Sequence, residues 1–516
     1  MTNGENRELP LEAVEKYSFS TLDRVMAWVT VVLGYLFIRI LPVRENRLAA
    51  VLFLLALWVG VFAWLYCSGI RPALRSYIFA GGALAVLPAL LTTSDDFMIG
   101  WMYLGQLAVF MYFISTAGGN SLENRIGGLF AADVAGAVFV APLCDMKAHP
   151  RAAFKWGGRG VNKKLITTAL WIGLGLCLAV IPTLIITLML SFDDGFNSIM
   201  DSIFSFDIEW SEQARRRIVS LILGIPVAMY IYGGVVASRR ASLSGKMSAE
   251  GCGALAERAK CLPAAMVYAA ITPILGVYVI FFISQWDVYM SAFTGVLPEG
   301  FIYSDYAREG FFQLVCICAI NAVIMLGVHL FAQRKSKITA MLLKIYIIVI
   351  SVMTLILVAT ALSRMALYIK AYGLTLDRIH ASWFIVVLAV AFLLTVIKQI
   401  CPRLRFTPIL LGCIAVLFAV MLYGNANALV ANYNADAYLD GRLDGVDVRA
   451  IVDMDEAAVP ALIRLADEAQ DSEVREKAED YLRGYARKLE SEEQSLWSFN
   501  FPRAQARRLI ENRIDS

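Results

Sequence analysis

The feature that most constrains this chain is the recurrence of apolar segments about the length of a membrane crossing. Eleven are found, approximately at 25–43, 48–67, 77–91, 98–117, 165–190, 218–236, 264–284, 312–332, 338–362, 383–400 and 406–423. A hydrocarbon core about 30 Å thick is spanned by about 20 helical residues rising about 1.5 Å each. Each segment must be helical, because lipid offers no partner to an exposed amide or carbonyl. Composition agrees: 59% of the 516 residues are hydrophobic and 17% charged, with mean hydropathy +0.64, against about 45–50% and about 25% in water-soluble domains. A soluble globular enzyme is excluded. The expected fold is all-α, a polytopic helical membrane protein of about 11 crossings. Residues 126–143 are also apolar, but they carry Asp133 and begin near Gly127 and Gly128. They are read as an interfacial helix within a basic connection at about 118–164.

Loop charge sets orientation, since short loops rich in Lys and Arg stay in the cytoplasm. One connection holds Arg125, Lys147, Arg151, Lys155, Arg159, Lys163 and Lys164, and another holds Arg239, Arg240, Lys246, Arg258 and Lys260. Two short links hold Arg334, Lys335 and Lys337, then Arg403 and Arg405. In an eleven-crossing alternation all of these share one face, so the amino terminus is expected inside and the carboxyl terminus outside. The acidic links Asp95-Asp96 and Asp193-Asp194 then face outward, with the stretch 285–310. Two basic stretches, Arg215 to Arg217 and Arg364 to Arg378, also fall outside, against the trend.

Three regions follow: a polar segment 1–24, a helical membrane domain 25–424 and a polar unit 425–516. The first apolar run is full length, so it is expected to remain as a signal anchor. The last unit holds 19 acidic and 12 basic residues, net −7, leaving +10 for the rest of a chain whose total is +3. Within it, Asp453 or Asp455 is a candidate cap for a helix through Ala457, Leu462 and Leu465, with Pro460 in the first turn. Ser472 opens a second helix whose Val474, Ala478, Tyr481, Leu482, Tyr485 and Leu489 form one stripe. The expected partners are the lipid bilayer and an envelope or membrane protein reached through this acidic helical domain. Its negative charge argues against nucleic acid.

Nine cysteines do not make a disulfide framework, because Cys177, Cys316, Cys318 and Cys413 lie in apolar runs, where a thiol packs as a small hydrophobe. His149, His329 and His380 are far apart and meet no ligand spacing. No metal site and no cofactor are expected.

Charges close to or inside apolar spans are expensive and ask for a partner or a watery cavity. Four places qualify, of which the fourth, Arg39, Asn321, His329 and Lys344 deeper in the spans, is expected to carry no catalysis. Asp193 and Asp194 pair two carboxylates that can bind a cation or share a proton, or that simply end a span and cap the next helix. Arg308 and Glu309 stand just before the eighth crossing; the arginine offers a fork for a carboxylate or phosphate and the glutamate a proton or cation site, unless both only anchor the span. Arg364, Tyr368 and Tyr372 recur every fourth residue, so on a helix they form one polar-aromatic stripe that Gly373 ends. Thr375 then opens the next helix and places Arg378 one turn in. These arginines either line a shared outward-facing site or reach for headgroups. Asn321, deep in a span, is expected to bond a neighbouring helix, and Gly234 with Ala237, or Gly173 with Cys177, to let helices approach closely.

The segments SQWDVYMSAFTGVLPEGFIYSDYAREGFFQL, RMALYIKAYGLTLDRI, LSFDDGF and NALVANYN resemble a family of bacterial multi-pass membrane proteins described only as domains of unknown function forty-one fifty-three and forty-one seventy-three. The resemblance runs from about Leu165 into the tail. It implies a bacterial inner-membrane location and no assigned activity. Three functions are compatible with these residues: a non-enzymatic envelope sensor or scaffold, a transporter of a small anionic or ion-coupled solute, and a membrane enzyme acting on a lipid-linked substrate. The first is the preferred expectation.

Overall fold

The computed structural model describes residues 19–43, 46–123, 126–154, 212–240, 249–284, 303–333, 336–491 and 496–515. The expected crossing at 165–190, its Gly173 and Cys177, and the carboxylates Asp193 and Asp194 lie outside them. Among the described residues the protein is helical and has no strand, only a single parallel bridge between Leu262 and Ala332. Among the described residues ten helices are long and apolar enough to cross a membrane. The chain is thus the all-α polytopic protein that its apolar periodicity demands.

The described residues form two compact units. The first takes in Met1–Leu84, Gly105–Leu122 and Ala131–Ser248. It holds α1 (Thr21–Ile40), α2 (Arg47–Cys67), most of α3 (Leu74–Val86), the later turns of α4 (Asp96–Ala117) and α8 (Glu212–Arg240). The α1 helix starts with a capping box, Ser20 Oγ accepting from the Asp23 amide and Asp23 returning the bond to the Ser20 amide. It packs on α8 through glycines. A Cβ added at Gly34 would stand 2.1 Å from the Gly224 carbonyl oxygen, so only backbone fits where these helices touch. Further along α8, Ala237 packs against Ala141, and a Cβ at Gly234 would meet the Met111 sulfur at 2.8 Å.

The apolar stretch read as an interfacial helix is three short pieces: α5 (Phe130–Ala135), a widened turn over Gly136–Val140, and α6 (Ala141–Asp145), followed by α7 (Ala148–Phe154). The cause is polar. Asp133 is buried and accepts the Leu122 amide at 2.8 Å, and the Val138 carbonyl, inside the widened turn, accepts the Tyr230 hydroxyl at 2.8 Å.

The second unit takes in Ala85–Leu104, Glu123–Phe130 and Ala249–Ser516. Its membrane part is α9 (Ala249–Ala259), α10 (Ala264–Ser284), α11 (Tyr303–Phe331), α12 (Lys337–Tyr372), α13 (Leu376–Ile400) and α14 (Phe406–Tyr423). The α11, α12, α13 and α14 helices are joined by short links and so run antiparallel. Asn321, fully buried, accepts the Tyr278 hydroxyl at 2.6 Å and donates to Thr354 Oγ1 at 2.8 Å, tying α10, α11 and α12 together. Thr354 in turn donates to the Ile350 carbonyl at 2.7 Å, so every member of the chain has a partner.

After α14 the chain builds a separate helical core from α15 (Ala426–Leu439), α16 (Val448–Val452), α17 (Val459–Glu468), α18 (Ser472–Ser491) and α19 (Phe501–Asp515). Ala431, Ala435, Leu462, Leu465, Ala478 and Ile510 meet at its centre. Its caps differ from the sequence expectation. Asp447 caps α16, accepting from the Arg449 and Ala450 amides, whereas Asp453 closes that helix and Asp455 opens a short 3-10 turn. Pro460 does occupy the first turn of α17. The second long helix, α18, opens at Ser472 as expected, and the residue before it, Asp471, accepts the Glu473 amide at 2.8 Å.

Candidate functional site

The longest helix decides where polar chemistry gathers. Thirty-six residues give α12 a length of about 54 Å at about 1.5 Å per residue, well beyond a hydrocarbon core of about 30 Å. Its apolar run ends at Leu362, and the remaining turns carry Arg364, Tyr368 and Tyr372. Gly373 ends it with φ 77° and ψ −177°, a conformation open essentially to glycine. Thr375 then caps α13 by accepting the Arg378 amide. This is the turn that the four-residue spacing and the glycine predict.

Three of the sequence-selected residues meet at this turn. Tyr368 and Tyr372 have ring centroids 5.3 Å apart, and the Arg378 guanidinium lies 4.0 Å over the Tyr368 ring. Arg378 Nη1 donates to the carbonyls of Tyr372, at 3.1 Å, and Gly373. The cation thereby satisfies carbonyls that α12 leaves open and sits at the negative end of its dipole. Arg364 is buried, 7% exposed, two turns before Tyr372 on the same helix. Arg308 and Glu309 belong to the first turns of α11. Phe311 and Leu314 of that helix pack against Leu357, Val358, Ala361 and Met365, which sets Arg308 and Glu309 at the same end of the α11–α12 hairpin as Arg364.

Residues that the sequence did not single out complete the cluster. Asn434 of α15 reads the turn from the C-terminal domain: its Oδ1 accepts the Leu374 amide at 2.7 Å and its Nδ2 donates to the Leu374 carbonyl at 2.8 Å. A Cβ on Gly373 would stand 2.5 Å from that Oδ1, so the glycine also makes room for the asparagine. Asn434 is held in turn by a helix whose neighbours are fixed, since Arg464 of α17 donates to Asp436 and, at 2.7 Å, to Asn432.

The second addition is a buried acid–base pair. His380, in the first turns of α13, meets Asp95 with Nε2 and Oδ2 2.5 Å apart, and the two side chains are 14% and 3% exposed. The other Asp95 oxygen accepts the Phe97 and Met98 amides at 3.1 and 3.3 Å and so caps α4. Phe97 covers the imidazole, ring to ring 4.7 Å. The α14 helix is pinned at the same end by Tyr423, whose hydroxyl donates to the Ala85 carbonyl at 2.5 Å. Asp95 and His380 are 285 residues apart, so no local motif joins them. The one sequence signal was their shared face in the alternation of crossings.

The cluster holds a buried carboxylate–imidazole hydrogen bond, an arginine spent on carbonyls, and an asparagine clamp between membrane helices and the C-terminal domain. Among the described residues no three His, Cys, Asp or Glu side chains are grouped to hold a metal ion. No curated protein and no solved structure matches the chain. A family model described as a domain of unknown function, DUF4153, matches residues 78–465. That match covers α4, the α12–α13 turn, Asn434 and the first helices of the C-terminal core, and with three quarters of its length inside it the chain belongs to this family.

Proposed function

We propose that this is a non-enzymatic sensor or scaffold of the bacterial inner membrane, in which the acidic C-terminal helical domain meets an envelope partner and relays its state to the membrane helices. The observation that carries this reading is the double hydrogen bond between Asn434 and the backbone of Leu374. A domain that is only a solvated cap needs no such bond to a turn between two crossing helices. The relay has a next step, because Leu374 lies six residues before His380, which holds the cap of α4 through Asp95. Loop charge supports a cytoplasmic amino terminus and an extracytoplasmic C-terminal domain.

Hydrogen exchange on the purified full chain tests the relay. In Asn434→Ala, faster exchange is expected in 426–440, in the α12–α13 turn and in the first turns of α4. Faster exchange confined to 426–440 refutes the relay. Paired alkaline phosphatase and green fluorescent protein fusions after Ser516 test sidedness, and fluorescence without phosphatase activity refutes it.

A second reading, an ion-coupled transporter, is favoured by the Asp95–His380 pair alone, since buried ionisable pairs in membrane proteins commonly carry protons. Proteoliposomes with an entrapped pH dye separate the two. Proton flux by the native chain that is lost in Asp95→Asn supports transport, and no flux supports the relay.

A further inference from the structure

Charge and aromatic side chains are distributed unevenly within the C-terminal domain. Residues 425–495 hold 17 acidic and 8 basic side chains, net −9, whereas residues 496–516 hold two acidic and four basic ones, net +2. The basic end coincides with an exposed apolar patch: Leu496 is 81% exposed, Trp497 57%, Phe499 39% and Phe501 55%. The patch is not a face awaiting the domain's own core. The core side of α19 is already used by Ala506 and Ile510, both buried, and Phe499 and Phe501 stack edge to face on each other at 5.5 Å while remaining open to solvent.

The surroundings select the occupant. Arg503 and Arg508 follow the aromatic patch on α19, and Arg508 is exposed. Arg507 and Arg513 are engaged with Glu511 and Asp467, at 2.8 and 2.7 Å, which keeps the acidic groups of this end neutralised. Tryptophan and phenylalanine beside arginine are the side chains that settle at the boundary between headgroups and acyl chains. The domain is also tethered there, since α15 begins at Ala426, three residues after the crossing helix α14 ends at Tyr423. So short a link keeps the patch within reach of the bilayer surface at high effective concentration.

We infer that Leu496, Trp497, Phe499 and Phe501, with Arg503 and Arg508, form a docking surface for anionic lipid headgroups of the membrane in which the chain itself is embedded. The aromatic rings enter the interface and the arginines select negative charge. Because the acidic remainder of the domain is repelled by the same surface, contact at this end orients the domain as well as holding it. This goes beyond the relay, and either holds without the other.

The test uses the full chain in nanodiscs of phosphatidylcholine, alone or with 30% phosphatidylglycerol, with the acyl chains brominated so that buried tryptophans are quenched. The emission of Trp497 is read as the difference between the native chain and Trp497→Phe. Quenching of that difference in the anionic discs, relieved by 0.5 M salt, is expected. Each arginine near such a surface contributes about fivefold to the bound population, so Arg508→Gln should shift the salt midpoint downward without changing the protein's elution from a sizing column. Equal quenching in the neutral discs overturns the selection of anionic lipid. Absence of quenching in both overturns the surface altogether and leaves the patch to a protein partner. Phe501→Ser, which removes apolar contact and keeps every charge, guards against loss of folding in the arginine variant and should weaken quenching in the same direction.

Discussion

Replacing Gly373 by alanine tests two separate demands of the α12–α13 turn. The backbone there, φ 77° and ψ −177°, lies in a region nearly closed to residues with a Cβ and costs such a residue about 1–3 kcal/mol. The new methyl would also stand 2.5 Å from Asn434 Oδ1, so the amide must withdraw. Its two bonds to Leu374, about 0.5–1.5 kcal/mol each, go with it. Gly373→Ala is therefore expected to destabilise by about 2–6 kcal/mol and Asn434→Ala by about 1–3 kcal/mol. The double variant has no asparagine left to displace and should be no worse than Gly373→Ala alone. The pair is then less than additive by about 1–3 kcal/mol, the worth of the clamp. Unfolding of the four proteins by dodecyl sulfate titration in mixed micelles measures it. Additivity within about 0.5 kcal/mol would show that the glycine serves only the backbone and that the asparagine clamp holds nothing.

Asn321→Ala removes the Tyr278 and Thr354 links together and should cost about 1–2 kcal/mol in the same titration, with Tyr278→Phe nearer the lower figure; a neutral Asn321→Ala would make the network incidental. Asp95→Asn keeps an acceptor for the Phe97 and Met98 amides and loses only the charge facing His380, whereas Asp95→Ala loses both. Alanine should therefore be less stable than asparagine by about 1 kcal/mol, and equal stabilities would refute the capping role. His149, outside the crossing helices, has its pKa lowered from 6.5, burial outweighing its bond to the Ala27 carbonyl. The folded protein thus prefers the neutral ring. The stability this contributes is complete above pH 6.5 and is lost as the pH falls through the depressed value. The thermal unfolding midpoint should fall in that acidic range and fall less in His149→Gln.

Much of the architecture was legible because lipid imposes one rule on every crossing. Nine of the ten crossing helices end within a few residues of the expected apolar runs, and the tenth, α12, runs on through Tyr372 as its aromatic spacing required. Gly373 and Thr375 were legible for a different reason: a glycine that ends a helix and a threonine that opens one act through their own backbone. Ser472 opens α18 as its stripe of apolar residues predicts, and only the cap before it, Asp471, went unnamed. The break at 130–145 was harder still. Only a tyrosine some ninety residues away, bonding the Val138 carbonyl, shows why that helix widens. Asp95, His380 and Asn434 were not selected as site residues because each looks ordinary among its neighbours in sequence, and their meaning lies in whom they touch.

Those contacts also change what the arginines of this end can do. An anion site built on Arg378 asks its guanidinium to leave the Tyr368 ring and the two carbonyls to which it donates. Those carbonyls close a helix that carries Arg364 and the aromatic stripe, so binding there would loosen the turn it depends on. The Asp95–His380 pair makes the opposite demand. Breaking its bond would release the start of α4 from the start of α13 while leaving the Asn434 clamp in place. In the relay proposed above, a change in the C-terminal domain acts on the clamp, and a change in the pair acts on the start of α4. The two meet within the six residues from Leu374 to His380, which makes that segment, more than any single arginine, the part of the molecule whose geometry the proposed relay has to change.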